Sequence, residues 1–278
     1  MKILLAATAL FFSLTGAAQY YYKDIVGTRE SAELITSYRS NKVHTVTLNS
    51  YTVNNAPLNQ FSIRQEFLPA QQALRTITKS EYTHPSYLTS YIDAAGRVVK
   101  ATDSTNGIVN TTVYSYNAAG QLAEVKFSAG DTLTAVRTDD HLWQYDAQGR
   151  ITKMLRIKNG RDTAVVTFKL DEKGNVIEEQ EKRRVSSEEP YYYYYDDANR
   201  LSDIVRFNKN AGRLLPEAMF EYSDKNQVIQ RYTIPPNSDD YLIWRFAYDN
   251  RGLKTKEVVF NKQKEQTGKV EYVYTFSN

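Results

Sequence analysis

One unit recurs seven times along the 278 residues in full or near form: an aromatic residue, any residue, Tyr or Leu, Asp, two variable residues, Gly, a polar residue and an aliphatic one. Its fourth turn position falls at Gly96, Gly120, Gly149, Gly174, Asn199, Asn226 and Gly252, at separations of 24, 29, 25, 25, 27 and 26 residues. Self-similarity with a period of about 20–50 residues marks stacked supersecondary units, none of which covers its own apolar face alone. The architecture is constrained before any activity is.

The residue types explain the unit. Asp, Asn or Ser at the first turn position accepts hydrogen bonds from the backbone two residues on. Gly at the fourth takes the positive φ of a type I turn closed by a bulge. Where Gly is missing, at 199 and 226, the replacement is Asn, which tolerates the left-handed region. Ahead of the turn, rings two residues apart, such as Trp143 and Tyr145 or Phe220 and Tyr222, share one face of a strand. Behind it comes an aliphatic residue: Val98, Leu122, Ile151, Val176, Leu201 or Val228. In Leu201, Ile204, Val205, Phe207 a three-residue step interrupts the alternation, which predicts a bulge.

Looser turns, such as Ser104-Thr105-Asn106-Gly107, Lys158-Asn159-Gly160-Arg161 and Pro235-Pro236-Asn237-Ser238, close each unit. Successive units then form an antiparallel meander of β-hairpins. Residues 28–42 predict a short helix or irregular cap within an N-terminal segment 19–50, and the repeat domain is placed at 51–278, with Tyr51 to Leu58 as a degenerate first repeat. The expected fold is all-β, with roughly 14 to 17 strands. Because flat open sheets rarely exceed about 10, the sheet is expected to curl into an open shell or a closed or flattened barrel.

Residues 1–18 read as a secretory signal: Lys2, an apolar run from Ile3 to Leu14 and the small-residue exit Thr15-Gly16-Ala17-Ala18, with cleavage expected before Gln19. The run is shorter than the roughly 20 residues of a transmembrane helix. A periplasmic or extracellular, cell-surface location follows as an expectation. The chain has no Cys, so disulfides are excluded and stability after export rests on packing. The net charge of +3 makes no electrostatic case for nucleic acid.

The in-phase motifs, with Tyr-Asp pairs at 145/146, 195/196 and 248/249, resemble the YD-repeat (rearrangement-hotspot-like) family over about residues 88–276. Larger members are exported or cell-surface proteins whose repeats spiral into a β-sheet shell, sometimes around a C-terminal toxin domain. For this chain, which has fewer repeats and ends in a repeat strand, the resemblance implies the hairpin array and export. The layout is also similar to small secreted repeat proteins of Bacteroidetes-type bacteria.

At each residue type a chemical role competes with a geometric one. The recurring Asp93, Asp146, Asp171, Asp196 and Asp249 look like a carboxylate ladder, but a calcium loop needs several oxygen ligands converging within a few residues. A turn role is therefore expected, with no metal and no cofactor. His44, His84 and His141 lie outside any metal or nucleophile motif, and His141, beside Asp140 and Trp143, is read as a strand-edge residue. The run from Glu178 to Arg184 is read as solvated, and its charges on alternate positions speak against a lipid-facing barrel. Among the 22 tyrosines, alternate rings of Tyr191 to Tyr195 must face opposite ways. Tyr191, Tyr193 and Tyr195, with Trp143 and Trp244, are the candidate binding residues. The expected function is binding of a glycan, surface polymer or protein partner by a non-enzymatic secreted protein. The alternatives are a scaffold or shell component, an outer-membrane barrel or a hydrolase.

Overall fold

The computed structural model describes residues 20–130, 136–234, 238 and 240–277; the segment read as an export signal lies outside them. Helix α1 spans Lys23–Ser40, and eighteen strands follow. They are β1 Val43–Thr52, β2 Phe61–Leu68, β3 Ala73–Ser80, β4 Thr83–Ile92, β5 Val98–Thr105 and β6 Ile108–Tyr116. Then come β7 Leu122–Gly130, β8 Arg137–Tyr145, β9 Ile151–Lys158, β10 Asp162–Leu170, β11 Val176–Lys182 and β12 Tyr191–Tyr195. The last six are β13 Leu201–Asn208, β14 Arg213–Tyr222, β15 Val228–Thr233, β16 Leu242–Tyr248, β17 Lys254–Phe260 and β18 Gln266–Phe276.

Each strand pairs antiparallel with its successor, and β18 returns to β1, with Val46 opposite Tyr274 and Thr52 opposite Gly268. The meander is thus a closed barrel, and closure removes the free edges that would otherwise template association. The strand count exceeds expectation for two reasons. β1 begins at Val43, inside the segment assigned to the cap, and the β3–β4 hairpin turns at Glu81-Tyr82 without Gly or the repeat signature. The helix starts five residues earlier than the segment marked in the sequence.

The bulge read between Leu201 and Ile204 is present and general. Tyr194 faces Asp203, whereas Tyr195 faces Leu201, leaving Ser202 as the extra residue. The same shift occurs at Ser115/Tyr116, Gln144/Tyr145, Lys169/Leu170 and Glu221/Tyr222. After each turn the inward positions therefore run i, i+3, i+5, as in Leu122 and Val125 or Leu201 and Ile204, all buried.

Inward residues make three apolar clusters, and α1 with the residues before it joins all three. Ile35 and Tyr38 pack with Val46, Leu48, Ile63 and Leu74. Tyr21 packs with Leu122, Trp143, Met154 and Val166. Tyr20 and Tyr22 pack against Tyr191, Tyr193 and Ile204. The helix is thus a plug in the lumen, the barrel supplying the apolar surroundings that its own composition lacks.

The outer wall carries charge. Arg64–Glu66, Lys126–Glu124, Lys169–Glu178 and Lys269–Glu271 pair on it, and Glu221, Gln230 and Arg245 form a hydrogen-bonded row across β14, β15 and β16. Exposing such side chains to hydrocarbon costs about 2–4 kcal/mol each near the midplane, so this wall suits water rather than lipid. Among the described residues no helix is long and apolar enough to cross a membrane.

Candidate functional site

The seven repeat turns lie at one rim of the barrel, and their bonds account for the motif residue by residue. The amide of the fourth position donates to the carbonyl of the first in every copy, from Gly96 to Asp93 through Gly252 to Asp249. Asn199 and Asn226 adopt φ of 63° and 61° where the glycines have 77–86°. Asp196 Oδ1 accepts the Arg200 amide at 2.9 Å and Oδ2 accepts Arg200 Nε at 2.8 Å. Asp93 with Arg97 and Asp146 with Arg150 repeat that arrangement. The guanidinium and the backbone amides hold the Asp196 carboxyl below the usual range. These oxygens are used in turn closure.

The Tyr of the motif has a second task. Tyr116, Tyr145, Tyr195, Tyr222, Tyr248 and Tyr274 each donate a hydroxyl hydrogen bond of 2.7–2.9 Å to the first strand residue after the preceding turn. The acceptors are the carbonyls of Val98, Leu122, Val176, Leu201, Val228 and Lys254. Neighbouring turns are also tied: Gln121 reaches Gly149 O, Asn175 pairs with Asn199, Arg200 reaches Ser223 O and Gln227 reaches Gly252 O. Repeat four carries Leu170 in place of Tyr, so the Ile151 carbonyl receives no such staple. An eighth turn of the same geometry, missed in the sequence, joins β17 to β18: Lys264 takes φ 63° and donates its amide to Asn261 O.

Inside the lumen, β8 to β12 grip the start of α1. No local side chain caps the helix. Instead Glu179 of β11 accepts the amides of Tyr21 and Tyr22 at 2.6 and 2.8 Å, and the Tyr193 hydroxyl at 2.7 Å. A carboxylate from the wall thus satisfies donors that a helix N-terminus leaves open, at its positive dipole end. Burial pushes the Glu179 carboxyl up to about 7, against the lowering effect of those amides. Beside it His141 Nδ1 lies 2.6 Å from Asp24, and Arg156 pairs with Asp139 and donates to the Tyr21 hydroxyl. Burial opposes the charged imidazole, but Asp24 and Asp139 prevail and raise it to about 9.

These positions correct two readings. His141 is 6% exposed and clamps the helix rather than lying at a strand edge. Glu179, in the run read as solvated, is 2% exposed. It stands three residues beyond Val176, so the bulged step seen at Leu201 and Ile204 was the signal that would have placed it inside.

The candidate aromatic residues do not form an exposed row. Tyr191 and Tyr193 are 6% and 2% exposed and seat Tyr20 and Tyr22, while Trp143 stacks on Phe168. Trp244 is 5% exposed and lies under Arg231. Alternation sends Tyr192 and Tyr194 outward, Tyr194 being half exposed. Of the five, Tyr195 lines one of the two clefts beside α1.

Two clefts open beside α1 at the repeat-turn rim. One, of about 880 Å³, lies between α1 and the turns of β4 to β11 and is lined by Arg29, Glu33, Tyr116, Gln121 and Tyr145. The other, of about 680 Å³, lies between α1 and the wall from β12 to β18. Its rings include Tyr195, Tyr222, Phe246 and Tyr248, and its mouth carries the amides of Asn175, Asn199, Asn226 and Gln227. Deeper, Glu257 is held by Lys254 Nζ at 2.7 Å and the Tyr272 hydroxyl at 2.6 Å. Apolar walls with a few converging polar groups, at a volume within the usual 300–1,000 Å³, are the features of a small-ligand cleft.

Residues 93–132 match the RHS Repeat family. No curated protein sequence matches the chain significantly. Among solved structures, the chain is similar to the Photorhabdus luminescens Tc holotoxin pore at 14% identity, covering 78% of this chain and 12% of that one, with a TM-score of 0.35. A TcdB2–TccC3–Cdc42 structure aligns at 16% identity over 75% of this chain and 11% of that one, with a TM-score of 0.34. A porin-like protein from Bacteroides uniformis aligns at 13% identity over 84% of this chain and 98% of that one, with a TM-score of 0.44. The chain spans about an eighth of the two toxin chains. Through residues 93–132 the chain carries an RHS repeat, the YD type that its turn residues resemble, within an all-β hairpin barrel.

Proposed function

We propose that this is an exported, non-enzymatic β-repeat protein that binds a glycan in the cleft between α1 and the β12–β18 wall. The observation that carries the reading is the lining of that cleft, which combines aromatic rings, Tyr222, Phe246 and Tyr248 among them, with the side-chain amides of the turns at its mouth. Rings offer an apolar platform to the C–H faces of a sugar, and amides both donate to and accept from its hydroxyls. The outward-facing residues of the tyrosine run are the competing platform. The test is a glycan array on mature protein with two variants. Phe246→Leu, which keeps apolar volume but removes a ring, should weaken binding, and Tyr194→Ala on the outer wall should not. The reverse pattern, or no glycan bound at all, refutes the cleft as the site.

A second reading, assembly with like units as a scaffold, draws on an apolar row across β3 to β6. Ile77 faces Tyr87, which faces Ser104, which faces Val109, and Tyr87, Val109 and Val113 are exposed. Self-association in sedimentation velocity that Val109→Lys abolishes would favour it.

A further inference from the structure

We propose that Glu30 of α1 and Arg231 of β15 are the sugar-reading pair of the second cleft, receiving two neighbouring hydroxyls of a neutral pyranose ring. The inference rests on the cleft reading and names its ligand class.

Both side chains line the same cleft from opposite sides, one from the helix plug and one from the barrel wall. Arg231 Nε is buried with no partner, and the half-buried Glu30 carboxylate enters none of the ion pairs that join the other acids and bases of the lumen. Arg29 and then Arg231 act on the charge of Glu30, and Glu257 and then Glu30 on that of Arg231, yet Glu30 and Arg231 do not close into a pair. Elsewhere in this lumen, acids and bases are joined directly: Asp24 to His141, Asp139 to Arg156, Glu257 to Lys254. A buried donor left without its hydrogen bond is costly, so Arg231 Nε facing a half-buried acid across one cleft marks the place where a ligand completes them.

The chemistry of the gap selects the ligand. A carboxylate only accepts and a guanidinium only donates, so the bridging molecule must donate on one side and accept on the other. Neighbouring hydroxyls on a sugar ring do both. A neutral ring suits a cleft whose charged lining is mixed, with Arg29, Arg200, Arg231 and Lys254 against Glu30, Glu33 and Glu257, so that no strong net charge draws in a uronate or a sulfated sugar. Trp244 backs the Arg231 guanidinium at 5.4 Å and fixes its plane, and Tyr222, Phe246 and Tyr248 supply ring faces.

The experiment is titration calorimetry of the full mature protein with neutral hexasaccharides (β-1,4-glucan, α-1,4-glucan and β-1,4-mannan), an oligogalacturonate and a tetrapeptide. Wild type, Glu30→Gln, Arg231→Gln and Phe246→Leu are compared. A neutral hexasaccharide should bind, and each charge variant should weaken it by about tenfold or more. The melting temperature of Glu30→Gln should not fall, because its carboxylate has no bond to lose. If Phe246→Leu weakens binding while both charge variants bind as wild type does, the pair is not the reader although the cleft stands. Tighter binding of the oligogalacturonate overturns the neutral-ring assignment. Binding of the tetrapeptide alone, or of nothing, overturns both readings.

Discussion

The N-terminal end of α1 enters a charged setting in which Asp24, His141, Asp139, Arg156, Glu179 and Glu181 bond to one another and to the backbone of Tyr21 and Tyr22. Its C-terminal end, with Ile35 and Tyr38, enters an apolar setting of Val46, Leu48, Ile63 and Leu74, into which the Tyr38 hydroxyl brings a hydrogen bond to Gln65 at 2.8 Å. Apolar packing stabilises without regard to direction, whereas carboxylate-to-amide bonds are met in one placement of the helix only. The clamp thus specifies where the plug sits, and the cluster supplies burial energy. Only the clamp should respond to pH.

That contrast can be broken by mutation. Glu179→Ala should cost about 3–5 kcal/mol in denaturant unfolding, because two amides and a hydroxyl lose a buried charged partner; a loss below about 1 kcal/mol would show that the clamp does not hold the helix. Ile35→Ala at the other end should cost about 2–5 kcal/mol, and by the same amount at pH 6 and pH 9. His141, raised from 6.5 to about 9, contributes stability that is fully present below about pH 6.5 and lost as pH rises towards 9. The Glu179 carboxyl, raised from 4.5 to about 7, also lowers stability as pH rises, between those two values. Lys23, lowered to about 8 by burial, acts oppositely above that pH, so the measurement is a difference between chains. Wild type should lose on the order of 2–3 kcal/mol more than His141→Gln between pH 6.5 and 9; equal slopes would take the imidazolium out of the clamp.

Smaller effects belong to the rim and the outer wall. Tyr145→Phe should cost about 1 kcal/mol by freeing the Leu122 carbonyl, and the same change in any of the five other stapling tyrosines should cost a similar amount. Lys169→Ala breaks an exposed pair with Glu178 and should fall within about 1 kcal/mol of wild type. If that surface pair mattered as much as the lumen clamp, the distinction between the two settings would collapse.

The residues that spoke plainly in the sequence are those whose role is local. Asp196 bonds to Arg200 four residues away, and Asn199 replaces Gly at a positive φ, so spacing alone pointed to turns. The bulge behind Leu201 was visible as a broken alternation. Glu179 and His141 were misread because their partners, Tyr21 and Asp24, are more than a hundred residues distant along the chain. Tyr191 and Tyr193 stood as binding candidates because alternation says that rings face opposite ways, without saying which way is in. The cleft was not legible at all, since Glu30 and Arg231 meet across 201 positions.

Repetition, turn chemistry and strand periodicity are properties of a few neighbouring residues, and they carried the hairpin array and its antiparallel order. Whether the eighteenth strand returns to the first is a matter of accumulated twist and stagger over the whole sheet. Which face becomes the lumen, and that a polar helix fills it, follow from that closure. The unpaired charges of the cleft exist only once the plug and the wall are brought together.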